Sequence, residues 1–214
     1  MLFYNTVTPL LCQILLQLMS EDLFLPFRLV GGTSLSLQLG HRESVDIDLF
    51  TDAEYGSIDF KAIDAYFKAH YSYVDTSGGE SVGMGRSYYI GDNSKHCIKL
   101  DLFYTTDPFM RSFLLIDEIR FAQIEEIIAM KMEVIANGGR KKDFWDLHEL
   151  FDSYSITKML ELHQERYPYQ HDRDAILQNL VYFDVADNDF DPICMKHKYW
   201  EVIKLDFIAA VEQV

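Results

Sequence analysis

The chain has 214 residues, 49% of them apolar, with 34 acidic against 19 basic side chains and a formal charge of −15. This composition excludes a disordered chain and fits one large domain or two small ones around a real core. No apolar run is long enough to span a membrane, and the charge disfavours an extended nucleic-acid footprint, because phosphate contacts need Lys and Arg.

The N-terminal stretch is apolar but lacks a basic start and a cleavage-like site. Val7, Leu10, Leu11, Ile14, Leu15 and Leu18 recur at helical spacing, and Thr8 followed by Pro9 suits an N-cap and first helical position. We read a core helix there, not a signal peptide. Residues 27–30 then form a short apolar strand that runs into Gly31, Gly32, Thr33 and Ser34, a turn opening a helix. A second apolar strand follows and carries Asp46 and Asp48. Residues 59–69 place Phe60, Ile63, Tyr66 and Phe67 at helical spacing.

Residues 74–91 are rich in Gly, Ser and Tyr and predict a turn and a short strand at 87–90. Residues 97–104 alternate and are β-rich, so a strand is expected. A strong helix is predicted over 121–136, ended by Asn137-Gly138-Gly139 as a C-cap. Further helices are expected at 142–154, 156–165, 173–183 and 199–213, with an acidic loop over 184–192. Strands thus fall in the first half and helices dominate the second, which predicts an α+β fold. The expected division is a mixed-sheet core over 1–110 and a helical domain over 111–214.

Cys12, Cys97 and Cys194 are odd in number, scattered and set among apolar residues, with no zinc spacing. They read as buried free thiols of a cytoplasmic protein. One local basic cluster exists, Arg140-Lys141-Lys142, with Lys131 one helix earlier.

Asp46 and Asp48 are two apart on a strand, so both side chains leave one face. Carboxylates held close together repel unless a cation lies between them, and hard cations such as magnesium share oxygen ligands with phosphates. Asp101 is the acid inside the next expected strand and would complete a three-carboxylate cluster if the two strands are neighbours. Such a cluster with two metals would activate a nucleophile and neutralise a leaving pyrophosphate. Taken alone, D-x-D on a strand is more often an exposed polar face than a metal site. The glycine pair allows a backbone to approach a phosphate, and the following helix N-terminus favours anions, with the Thr33 and Ser34 hydroxyls as added donors. Neither a P-loop nor a dinucleotide fingerprint is present; alone, the stretch is also an ordinary strand-to-helix turn.

The combination is more specific. Gly-Gly-Thr/Ser, a short helix and D-x-D resemble the first motif of DNA polymerase β-like nucleotidyltransferases. The finer wording, GGTSL…LGHRxSxDIDLF, resembles the AbiEii/MenT-type nucleotidyltransferase toxins of bacterial toxin–antitoxin and phage-defence systems. IEEIIAMKMEVIANGGRKKDFWDLHEL resembles that family's lysine helix and D-x-x-D helix. The late stretch LVYFDVADNDFDP…YWEVIKLDF resembles its C-terminal segment.

This resemblance implies a nucleotidyltransferase-like sheet completed by the helical part. It implies that Gly31, Gly32, Thr33 and Ser34 cradle the triphosphate of an NTP and that Asp46 and Asp48 bind magnesium. Lys131 would contact the nucleotide, and Asp143 and Asp146 would form the fourth motif. Arg42 and Ser44 match family positions, Arg42 within reach of a phosphate. The residue before Asp143 is usually arginine in that family and is Lys142 here, which keeps the charge without the bidentate fork.

Plainer readings stand beside these. Lys131 is also a boundary lysine, Asp143 a helix N-terminal acid, and Asp146 a partner for Arg140 or Lys142. His41 and His148 read as structural, and Phe144 and Trp145 as core.

The leading function is therefore magnesium-dependent transfer of a nucleoside monophosphate from an NTP to an acceptor hydroxyl. By resemblance the acceptor is RNA, such as a tRNA 3′ end, and a cognate antitoxin is a partner; protein and small-molecule acceptors stay open. One alternative is a non-catalytic NTP-binding module. Another is a haloacid dehalogenase-type phosphatase, which VDIDLF superficially resembles, though that motif has no glycine turn before it and takes Thr or Val where Phe50 stands.

Overall fold

The structure is a computed structural model that describes residues 1–77 and 83–214. Helix α1 spans Pro9–Ser20, with the Thr8 hydroxyl accepting from Leu11 N and Pro9 in the first turn. Its buried stripe of Leu11, Ile14, Leu15, Leu18 and Met19 is the one the spacing predicts. Strand β1 (Arg28–Val30) leads directly into helix α2 (Gly31–Leu39), which ends on a left-handed Gly40. Strand β2 covers Asp46–Thr51, and helix α3, capped by Asp59, covers Phe60–His70. Strands β3 (Tyr73–Ser77), β4 (Gly85–Asn93) and β5 (His96–Tyr104) follow. The strand expected at 87–90 is therefore longer, and the turn expected before it falls partly on residues 78–82, outside the described ones.

Two further strands, β6 (Leu114–Ile116) and β7 (Ile119–Phe121), lie in the segment expected to be helical. They form a hairpin whose two turn residues, Asp117 and Glu118, both have positive φ, 49° and 65°. That is the geometry a two-residue hairpin needs, but it is built here without the Gly or Asn that usually announces it. Phe121, read as the start of a helix, is the last residue of β7.

The sheet order is β3-β4-β5-β2-β1-β7-β6. Strand β2 runs antiparallel to β1 and parallel to β5, in the centre of the sheet. Because β7 pairs parallel with β1, the sheet continues past residue 110, and a boundary there would cut it.

Alternation along the central strands sends side chains to two layers. Ile47, Leu49, Leu100 and Leu102 pack with α1 and α3 on one side of the sheet. Val30 and Leu35 face the other side, in a second core built from helices α4 (Ile124–Ala136), α5 (Lys141–His148), α6 (Ile156–Arg166), α7 (Arg173–Leu180) and α9 (Trp200–Val211). Phe144 and Trp145 are buried in that second core as expected. Burial of each such large side chain is worth about 1.5–3 kcal/mol.

Helix α5 is shorter than the expected 142–154, and the expected acidic loop contains a short helix α8, Asp184–Asp187. The three cysteines are free but half-buried, not fully buried. Among the described residues no helix is long and apolar enough to cross a membrane.

Candidate active site

The two acid-bearing strands are neighbours. In the parallel β2–β5 ladder Asp48 sits opposite Asp101, and Asp46 sits opposite Lys99. Asp46 and Asp48 therefore share a face with Asp101, as the period of two requires, and the alternate residues Ile47 and Leu49 are wholly buried on the other side. Strand β1 brings Val30 opposite Asp48, so the backbone of Gly31 comes to lie directly against the Asp48 carboxylate.

The two glycines leave room for charged side chains. A Cβ on Gly31 would collide with Asp48 Oδ2, and φ is +69° there; a Cβ on Gly32 would collide with Arg42 Nη2. The hydroxyls expected to help with phosphate do something else. Thr33 Oγ1 donates to the Asp46 carbonyl and shares a hydrogen bond of 2.7 Å with Ser44 Oγ, which ties α2 to the strand that follows it. Ser34 is fully buried, with its Oγ accepting from Gln38. Neither hydroxyl reaches the cleft.

Arg42 is likewise turned inward. Its Nε and Nη2 donate to the two oxygens of Asp146 at 2.6 and 2.8 Å, a bidentate clasp. His41 Nε2 donates to the same carboxylate at 2.8 Å, and Lys131 Nζ lies 2.8 Å from Asp146 Oδ2 and 2.6 Å from Asp143 Oδ1. Asp143 Oδ2 also accepts from Arg140 N at the start of α5. One buried network thus joins the loop after α2, helix α4 and helix α5. Burial alone would raise the Asp146 pKa, but Lys131, Arg42 and His41 hold it well below the ordinary carboxylate value. Lys131 is pulled down by burial, yet Asp146 and Asp143 outweigh that and keep its pKa above the ordinary lysine value.

The expectation that Asp146 pairs with Arg140 or Lys142 is thus replaced by pairing with Arg42 and Lys131. Arg42, Ser44, Thr33, Ser34 and Asp146 form the support of the site rather than its lining.

A cleft of about 540 Å³ opens above the acids. Its floor holds Gly31, Gly32, Asp46, Asp48 and Asp101; Lys131, Lys142 and Asp143 face them, and Phe50, Met130 and Val134 form an apolar flank. Lys131 spends two of its three donors on Asp143 and Asp146, which leaves one for the cleft. Lys142 Nζ is 3.8 Å from Asp46, and Lys99 Nζ is 2.5 Å from Asp101 Oδ2. Desolvation and the neighbouring Arg140 and Lys131 lower the Lys142 pKa.

The donor set suits a hard divalent cation. Asp48 is pushed up to about 6, first by burial and then by the Asp101 charge beside it, so a cation there would relieve a repulsion. Asp101 Oδ1 is buried without a hydrogen-bond partner. Among the described residues, however, no three such side chains already converge as a cation cage.

The sequence reading passed over two points here. One is Lys99, legible in hindsight from its alternation with Asp101; the other is the part of His41, read as structural, in holding the Asp146 carboxylate.

A family model for the nucleotidyl transferase AbiEii toxin of type IV toxin–antitoxin systems matches residues 13–213. The chain belongs to this AbiEii family. That membership removes the phosphatase alternative. The AbiEii-family chain is 28% identical over 200 residues to an uncharacterised protein of Aquifex aeolicus, covering 87% of each. A candidate nucleotidyltransferase of Helicobacter pylori shares its fold with a TM-score of 0.60 at 21% identity, over 95% of this chain and 91% of that one. The nucleotidyltransferase toxin MenT4 of Mycobacterium tuberculosis superposes with a TM-score of 0.56 at 13% identity, over 94% and 80%. The fold is that of a nucleotidyltransferase, with a mixed sheet and flanking helices.

Proposed function

We propose that this AbiEii-family protein is a magnesium-dependent nucleotidyltransferase that moves a nucleoside monophosphate from an NTP to an acceptor hydroxyl. RNA, in the first instance a tRNA 3′ end, is the acceptor to test, and growth arrest countered by a cognate antitoxin in the bacterial cytoplasm is the biological setting. The observation that carries this reading is the placement of Asp48 beside Asp101, under Gly31 and across one cleft from Lys131.

Asp46, Asp48 and Asp101 would hold the magnesium, which when bound would screen the phosphates and supply Lewis-acid polarisation. The backbone at Gly31 and Gly32, at the start of α2, would meet the triphosphate, and Lys131 and Lys142 would present cations to it. An acceptor oxygen attacks the α-phosphorus, the bond from that phosphorus to its bridging oxygen breaks, and pyrophosphate leaves. The acceptor proton passes to one of the cleft carboxylates. The protein's contribution is positioning and charge neutralisation.

The test is label transfer. Protein, magnesium and each α-labelled NTP are incubated with total bacterial RNA, with Asp46→Asn/Asp48→Asn as control. Label on RNA from one NTP, absent in the control, is the expected result. Label on protein would keep the chemistry and discard the RNA acceptor. Magnesium-dependent NTP binding with no transfer to any acceptor would favour the non-catalytic binding module.

A further inference from the structure

His163, on α6, is buried, with its ring tilted against Tyr167 at 5.2 Å between centres. A buried imidazole needs a partner for each ring nitrogen. Nε2 has one in Glu133 Oε2 of α4, at 2.8 Å. Glu133 is itself held, because its Oε1 accepts from Asn137 Nδ2 at 3.0 Å. His163 Nδ1 points the other way and meets Nδ1 of His171 at 2.9 Å. His171 is half-buried on the loop between α6 and α7, so this end of the pair reaches solvent.

The carboxylate decides the tautomer. Ionised Glu133 only accepts, so the hydrogen of His163 lies on Nε2 and its Nδ1 carries a lone pair. Burial lowers the His163 pKa against the opposing pull of Glu133, which keeps the ring neutral at neutral pH. His171 Nδ1 faces that lone pair with a hydrogen in one tautomer and with a lone pair of its own in the other. In the second tautomer two imidazole lone pairs converge, and one of the rings is braced from behind by a carboxylate. Metal-bound histidines hand their second nitrogen to a carboxylate in the same way.

We propose that His163 and His171 bind a divalent cation of the zinc, nickel or copper class through their Nδ1 atoms, with Glu133 orienting His163. Imidazole suits these ions, whereas magnesium takes oxygen ligands, so the site is chemically distinct from the carboxylate cleft. No third His, Cys, Asp or Glu converges on the pair among the described residues, so water completes the coordination. Bonds of about 2.0–2.1 Å place two tetrahedral nitrogens about 3.3 Å apart, and a small shift of His171 on its loop opens the pair to that spacing. His171 carries its hydrogen on Nε2 in this state, so both rings bind as neutral ligands. The ion fastens the α6–α7 loop to α4, whose Met130, Lys131, Val134 and Asn137 line the carboxylate cleft. This site stands independently of the transfer reaction.

The test is calorimetric titration of chelator-treated, full-length protein with zinc chloride, with thermal denaturation of the same samples. Wild type should bind one ion through this pair at micromolar zinc, and zinc should raise its Tm. His171→Ala, at a half-exposed loop position that leaves His163 and Glu133 in place, should lose both that ion and the rise. Glu133→Gln should weaken binding about tenfold. Asp46→Asn/Asp48→Asn should keep the His171-dependent ion, which separates it from zinc held in the carboxylate cleft. Equal zinc stoichiometry and an equal Tm rise in wild type and His171→Ala overturn the proposal, as does zinc binding that only Asp46→Asn/Asp48→Asn abolishes. Binding confined to millimolar zinc, or a His171-dependent rise of the same size with magnesium chloride, overturns it too and leaves the two rings sharing a proton.

Discussion

Asp146 and Arg42 form a buried two-point clasp, with donor–acceptor distances of 2.6 and 2.8 Å, and the same carboxylate also meets Lys131 and His41. This one side chain therefore fixes a cation beneath the glycine turn and another facing the acids. Removing it leaves Arg42 buried without its carboxylate and Lys131 with Asp143 alone, and breaking a buried pair from one side costs about 3–5 kcal/mol. Asp146→Ala should lose stability on that scale in urea denaturation. Asp146→Asn, which keeps the shape and an acceptor oxygen, should lose less. An Asp146→Ala protein as stable as wild type would show that the clasp carries no such energy.

Asp48→Asn should behave in the opposite way. It removes a carboxylate that is crowded by Asp101 at the cleft floor, so the fold should hold, while nucleotidyl transfer should fall by at least two orders of magnitude. Circular dichroism and the label-transfer assay, run on one preparation, check both halves. Retained transfer would displace Asp48 from the centre of the site.

The raised Asp48 pKa has a consequence for stability. Its ordinary value is 3.8 and its folded value about 6, so between these pH values the folded protein binds more protons than the unfolded one. Asp48 therefore stabilises the fold at low pH, and that contribution is lost as pH rises from about 4 to about 6. With divalent cations chelated, the stability difference between wild type and Asp48→Asn should shift by roughly 2 kcal/mol across that window, in favour of Asn at higher pH. A difference that stays flat would contradict the crowding of Asp48 and Asp101.

Gly32 and Gly138 make a paired test of why a glycine is needed. At Gly32 a Cβ would strike Arg42 Nη2, and that atom cannot swing away because Asp146 holds it. At Gly138 nothing lies within 4 Å of the added Cβ, and only the φ of +90° resists it. Gly32→Ala should cost about 1–3 kcal/mol by overpacking and should disturb the site. Gly138→Ala should cost about 1–2 kcal/mol from the backbone alone and disturb transfer less than Gly32→Ala. Thermal denaturation with transfer assays separates the two causes; equal loss of activity in both variants would refute the distinction.

The sequence by itself determined the elements whose signals are local. The Thr8-Pro9 cap and its apolar stripe specify α1, and strand alternation puts Asp46, Asp48 and Asp101 on one face of their strands. The motif wording from Gly31 to Asp48 and from Lys131 to Asp146 gives the AbiEii family. Only the tertiary structure decided what depends on residues distant in the chain. The β6–β7 hairpin turns on Asp117 and Glu118, without the glycine that usually marks such a turn, so pattern reading passed over it. Whether Arg42 faces a phosphate or Asp146 is settled 104 positions away in sequence, by a carboxylate on α5 that no spacing rule connects to it. The glycines looked like room for a ligand, and the fold fills the space where their Cβ atoms would lie with Asp48 and Arg42. Local periodicity is written in neighbouring residues, but the partner of a buried charge is set by which elements the chain packs together.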